Sequence, residues 1–231
     1  MWSQIVEEWP RFATYYNFIF IAKAAGMTLG LSALGCILGT LIGLALAVTR
    51  VTRSPWLRPL RILALLFTEV FRRVPFLVTL MLCFFAFQAT GFDIPLFVVA
   101  AVSVTVIAGA FLAEIIRGGF RSVHQNQWEA AATMNFSLLD TIRLVILPQA
   151  WRIVLPPAFG YFVMFIKDTA LASQIGVIEL TYVGKVLNNK GFSAALSFGV
   201  ILIVYFAISY PLARLGTLLE ARLASSRHHR A

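Results

Sequence analysis

The sequence predicts an all-α membrane protein with five transmembrane helices. Three observations carry that reading. First, 60% of the 231 residues are hydrophobic and 13% are charged, against roughly 45–50% and about 25% in soluble domains. Second, the apolar residues fall into runs of bilayer length, since crossing takes about 20 residues. Third, the charges gather at the edges of those runs, as topology determinants do. A net charge of +9 distributed in that way is not a nucleic-acid footprint, so no nucleic-acid partner is expected.

The first run, Phe18 to Val48, holds one charge, Lys23, near its start. It exceeds the minimum length, so it must tilt or project beyond the lipid. It is too long for a cleavable signal and lacks a small-residue cleavage site, so it is expected to stay as the first span. Gly26 and Gly30, then Gly35, Gly39 and Gly43, recur at four-residue steps. Such a stripe lets another helix approach closely, either inside one subunit or at a subunit interface.

Arg50, Arg53, Arg58 and Arg61 follow, with Pro55 and Pro59 breaking the helix among them. A second run extends from about Ile62 to Phe87, interrupted by Glu69, Arg72, Arg73 and Pro75. After the turn "QATGFDIP", Leu96 to Ile116 makes the third run. Pro148 to Ile166 makes the fourth, Lys167 to Ser193 a loop with short helical character, and Ala194 to Leu215 the fifth. The loops Arg50–Arg61 and Arg117–Arg143 and the tail Arg222–Arg230 then share one face. The positive-inside rule places that face in the cytoplasm, with the N-terminus outside and the C-terminus inside. "SSRHHRA" reads as a frayed basic end.

Between the third and fourth runs stands "EAAATMNFSLLDTIRLVILP", residues 129–148. Gln127 to Met134 is a run of good helix formers, with Ala130, Ala131 and Ala132 leaving one face thin. Asn135 tolerates left-handed geometry and can end that helix. Ser137, three residues before Asp140, starts a second helix expected over Leu138 to Ile146, with Leu147-Pro148 as its stop. The product is a cytoplasmic finger. It suits either docking into a groove on a soluble partner, with Glu129 for registration, or a plain connector between spans.

The order Glu129-Ala130-Ala131, Asn135, Val145 and Leu147-Pro148 resembles the EAA loop of ABC importer permeases, which usually carry Gly where Asn135 stands. "AEIIRGGFRSVHQNQWEAA", "LPQAWRIVLPP", "FIKDTALASQIGVIELT" and "YFAISYPLARLGTLLEARL" resemble the polar amino acid branch (the histidine, glutamine, arginine and glutamate type). "FRRVPFLVTL" is similar to that branch's FRGTPLLVQL-like stretch, with Arg73 and Val74 replacing Gly and Thr. The resemblance covers nearly the whole chain from about residue 18. It implies a type I importer permease fold, one permease domain over 1–231 with residues 117–147 as its cytoplasmic coupling loop, in a bacterial cytoplasmic (inner) membrane. It implies a second permease subunit (the same chain or a sister), cytoplasmic ABC ATPases docked on the EAA helix, and an extracytoplasmic amino acid-binding protein that delivers the substrate. No GxxxxGK[ST] phosphate loop occurs here, so nucleotide chemistry is assigned to the partner and the chain is expected not to be an enzyme.

A charge near the bilayer centre costs roughly 2.5–3.5 kcal/mol on insertion scales, so such residues pair or line a wet path. Glu69 and Arg72 stand three apart and can neutralise each other. Pro75 would free the Phe71 carbonyl if the helix continued, giving chemistry able to meet a zwitterion; the alternative is a set of topology anchors. Glu114 and Arg117 read as an ion pair at a helix end, or else as ligand contacts. Lys167, Asp168 and Thr169 offer both charges and a hydroxyl to an amino acid head group, or an interhelical lock. Arg73, if it faces the pathway, disfavours cationic substrates; it can also snorkel to the interface. Cys36 and Cys83 read as small buried residues, and His124, His228 and His229 lack ligand or triad spacing, so no catalytic group, metal or cofactor site is expected. Two rivals remain: an ion-gradient-driven secondary transporter or channel for small polar solutes, which needs no docking finger, and a membrane scaffold that transports nothing.

Overall fold

A computed structural model describes residues 2–52 and 54–228, with side chains through Leu223. Arg53, His229 and Arg230, which the sequence places in the loop and tail, lie outside the described residues. Every regular element among the described residues is helical. In chain order they are α1 (Trp2–Phe12), α2 (Tyr15–Val51), α3 (Arg58–Phe71), α4 (Phe76–Ala89), α5 (Leu96–Ser122), α6 (Gln125–Thr133), α7 (Leu138–Asp140), α8 (Leu147–Asp168), α9 (Leu180–Asn189) and α10 (Ala194–His228).

Helices α2, α5 and α10 are long and apolar enough to cross a membrane. The second expected run is not one rod. α3 stops at Phe71 and α4 begins at Phe76, directly after Pro75, and each has 14 residues. At 1.5 Å per residue each half reaches about 21 Å, short of the ~30 Å core, and the two halves are bent by 114° at the break, as in a broken span or a re-entrant loop. With that pair counted, four candidate spans result. The fourth expected run lies within α8, whose 22 residues reach about 33 Å. Arg152, Pro156 and Pro157 make it less apolar than the others.

Helix α1 was not expected. Its apolar residues are interleaved with Glu7, Glu8, Pro10 and Arg11, so no apolar run shows. The order lies in the helical period: Ile5 and Phe12 face a core, while Trp2, Val6 and Trp9 stay exposed, the pattern of a helix lying in an interface.

The chain forms two compact units. In the unit of residues 1–35, 76–104 and 162–213, Phe12, Ile21 and Ala24 pack with Leu180, Val183, Leu187, Leu196 and Ile201. There Glu8 caps the start of α10, accepting from the Ser193 amide at 2.8 Å and its hydroxyl at 2.7 Å. Those donors hold the Glu8 carboxyl below the usual range.

In the unit of residues 36–75, 105–161 and 214–231, the core joins Ala47, Ile116, Phe120, Val123, Ile142, Ile146 and Ala150. Here the glycine stripe meets α5: a Cβ on Gly39 would lie 2.5 Å from the Ala108 Cβ, and one on Gly43 2.8 Å from the Ala113 nitrogen. These two glycines serve packing within the subunit, whereas Gly26 and Gly30 have open space.

Candidate functional site

The polar segment folds as a hairpin. Its first helix, α6, starts two residues earlier than expected because His124 caps it, the ring Nδ1 accepting from the Asn126 amide at 3.3 Å. The helix ends as the sequence suggests. Asn135 is left-handed, at φ +58°, and the next amide, of Phe136, returns to the Ala131 carbonyl at 3.1 Å. Ser137 then caps α7 by accepting from the Asp140 amide at 3.2 Å.

Leu147-Pro148 does not stop the second helix. A six-residue π-helical segment, Thr141–Ile146, follows α7 and runs directly into α8. The wider π turn makes room where Pro148 cannot donate and its ring would press on the preceding turn. The Gln149 side chain donates to the Val145 carbonyl at 2.8 Å and to the Gln127 Oε1 at 3.3 Å, tying α8 to α6. Neither glutamine was singled out from the sequence, because their 22-residue separation hides the pair.

The alanines do not form one free face. Ala131 is buried, and Trp128, Leu138, Val145 and Leu147 pack on the unit's core. Glu129, Ala130, Ala132 and Pro148 are exposed, and so are the larger Met134, Leu139 and Leu144. The finger therefore has one anchored side and one bare side with apolar residues on it.

The same unit gathers most of the charges. Glu69 pairs with Arg73, not Arg72, at 2.8 Å, since the turn that follows α3, with the Arg73 amide on the Val70 carbonyl, keeps i and i+4 together. Arg72 caps α3 and turns to Glu114 at 3.9 Å, its guanidinium 5.7 Å over the Phe111 ring. Glu114 pairs with Arg117 and also accepts from Arg50 at 2.7 Å. Arg50 donates in addition to the Thr68 hydroxyl at 3.1 Å. Arg50, which the sequence marks only as a topology charge, is thus a principal partner of Glu114. At Pro75 the helix breaks rather than continues, so the Phe71 carbonyl is at a helix end and not at a mid-helix kink.

Lys167, Asp168 and Thr169 belong to the other unit. Lys167 is exposed and Asp168 half-buried. Thr169 is fully buried, bonding the Ile166 carbonyl at 2.9 Å and lying 3.5 Å from the Ser32 hydroxyl. That unit also holds a carboxylate the sequence reading passed over. Glu179 is fully buried at the start of α9, accepting from the amides of Tyr182 (2.8 Å) and Thr181 (2.9 Å) and from the Tyr205 hydroxyl (2.8 Å). Burial pushes its carboxyl up, and those three donors oppose the shift. The signal was local: an acid directly before a helix start is a capping residue.

Residues 39–225 match the family described as binding-protein-dependent transport system inner membrane component. The chain belongs to that family. Among its relatives, the permease is 35% identical to the glutamine transport system permease protein GlnP of Escherichia coli (strain K12) over 96% of this chain and 97% of that one. It is 33% identical to the probable amino-acid ABC transporter permease protein YckA of Bacillus subtilis, over 90% and 91%. A solved amino acid ABC transporter with histidines superposes with a TM-score of 0.80 at 29% identity, over 89% of this permease and 94% of that chain. An inward-facing MetNI methionine ABC transporter gives 0.77 at 21% identity, a likeness of fold. The all-helical permease fold of type I ABC importers, expected from the EAA-like segment, is the fold of this chain. The role is transport.

Proposed function

We propose that the chain is the permease subunit of an ATP-driven importer for a polar amino acid, working in a bacterial cytoplasmic membrane with its N-terminus outside. The relatives named above handle glutamine or amino acids, and the charged segments of this chain suit a zwitterion. A binding protein presents the substrate, a second permease subunit completes the pathway, and cytoplasmic ABC ATPases supply the work. The whole chain acts as one permease domain, with residues 117–147 as its coupling loop.

The observation that carries the reading is the two-sided hairpin. Met134, Leu139 and Leu144 are bare while Ala131 and Ile146 are fixed in the core. An exposed apolar side on a short anchored finger is a surface for a protein partner. Ala130 admits close approach, Glu129 fixes register, and Asn135 sets the angle between the two arms. Val145, Leu147 and Pro148 carry displacement into α8. Within the one unit, Glu69, Arg72, Arg73, Pro75 and Glu114 are assigned to a substrate path; within the other, Lys167 and Asp168 offer both charges to a head group, while Thr169, whose hydroxyl is buried against the Ile166 carbonyl, supports them from behind. If it faces the path, Arg73, already paired with Glu69, biases it against cationic amino acids.

The experiment pairs the permease with a candidate ABC ATPase in vesicles. A crosslinker at Leu139→Cys should capture the ATPase, and Ala130→Trp should abolish uptake while the subunits still fold. Asp93→Cys should react with an impermeant thiol reagent from outside and Gln127→Cys only from inside. Uptake driven by an ion gradient without any ATPase would defeat the proposal.

A further inference from the structure

A cavity of about 650 Å³ opens beside the hairpin, walled by the ends of α2 and α5 and by α6. Arg50, Arg117 and Arg121 line it against a single lining carboxylate, Glu129. Glu114, just beyond, is shared by Arg50, Arg117 and Arg72. Among the described lining residues three guanidinium groups face one carboxylate, so the pocket keeps an excess of positive charge. The Arg117 Nε is buried and has no hydrogen-bond partner, which is costly unless a further acceptor arrives. Arg121 is exposed and makes no hydrogen bond or ion pair among the described residues. Thr52, Ser54 and Gln125 add neutral donors to the lining.

We infer that this pocket binds a phosphate-type anion, and that the group bridges the inner ends of α2 and α5 to the hairpin. Several N–H donors in a planar fork match a phosphate's oxygens better than any single cation would. Half of the wall is apolar, with Phe120, Val123, Phe136 and Leu138. That mixture fits a phosphate carried on a glycerol and acyl chains, the headgroup of an anionic phospholipid. The location agrees, because α2 and α5 are long and apolar enough to cross a membrane and the pocket lies at their charged ends. A free phosphate ester shares the same chemistry without the apolar part.

The full chain in neutral detergent, offered phosphatidylglycerol or phosphatidylcholine and weighed by native mass spectrometry, tests the inference. Phosphatidylglycerol should be retained and phosphatidylcholine lost. Retention should fall roughly fivefold in Arg121→Gln, the effect of one basic contact near a lipid surface. Arg58→Gln, exposed and outside the lining, should leave it unchanged. Displacement of phosphatidylglycerol by excess inorganic phosphate would support the site and make free phosphate its ligand. Equal retention by wild type and Arg121→Gln, or equal loss in both variants, would overturn the proposal.

Discussion

Gly30 and Gly43 sit on one helix at related spacing, yet their surroundings are opposite. A methyl group on Gly43 would strike the α5 backbone at 2.8 Å, while one on Gly30 meets nothing. Gly43→Ala should therefore destabilise the solubilised protein by about 1–3 kcal/mol through overpacking. Gly30→Ala should be neutral or stabilising, because alanine is the better helix former by about 1 kcal/mol. Thermal unfolding in detergent reads both. Glu179 gives a second prediction at this scale. Its carboxyl titrates higher in the fold than in the unfolded chain, so the folded state holds the proton more tightly. Stability is then full below the ordinary glutamate range and declines as pH rises from that range through the raised folded value. Glu179→Gln, which cannot ionise, should flatten that decline in a series of melting curves; an unchanged slope would assign it to other groups.

The hairpin's turn was legible because its signals are local: three alanines in the first arm, Asn135 at the left-handed position, Ser137 at the cap of the second. Asn135→Gly should keep both fold and uptake, whereas Asn135→Val, β-branched at φ +58°, should cost on the order of 1–3 kcal/mol and reduce transport. The elements that escaped the sequence depend on period or on distance. α1 hides its apolar side among charges, and the π-helical segment answers to Pro148 and to packing that no short window contains. Arg50 reads as a loop marker until α2, α3 and α5 bring it to Thr68 and Glu114, 18 and 64 residues away. Pro75 announced an interruption. The helix ends rather than kinks: Arg72 still bonds the Thr68 carbonyl, and the chain turns through Arg73 and Val74, both bonded to the Val70 carbonyl, before Pro75.

For the molecule as a whole, length and apolarity fix the class, and the EAA-like order of residues fixes the family. The number of spans was harder to read, because the second apolar run is two 14-residue helices bent sharply at their break and the fourth is a proline-bearing α8. Transport coupling is a property at this scale. Two glycines inserted between Ile146 and Leu147 should leave ATPase docking intact, yet let the motor hydrolyse ATP without moving substrate. Paired uptake and hydrolysis assays would register the split; retained uptake would mean that force takes another route.

The uninterrupted passage from hairpin to α8 bears on how fast such a machine can answer. Under the proposed coupling, a displacement of the hairpin would pass without a hinge into the first turns of α8, as far as Pro156 and Pro157. Idle turnover would then be limited by the pump's own geometry rather than by a separate brake.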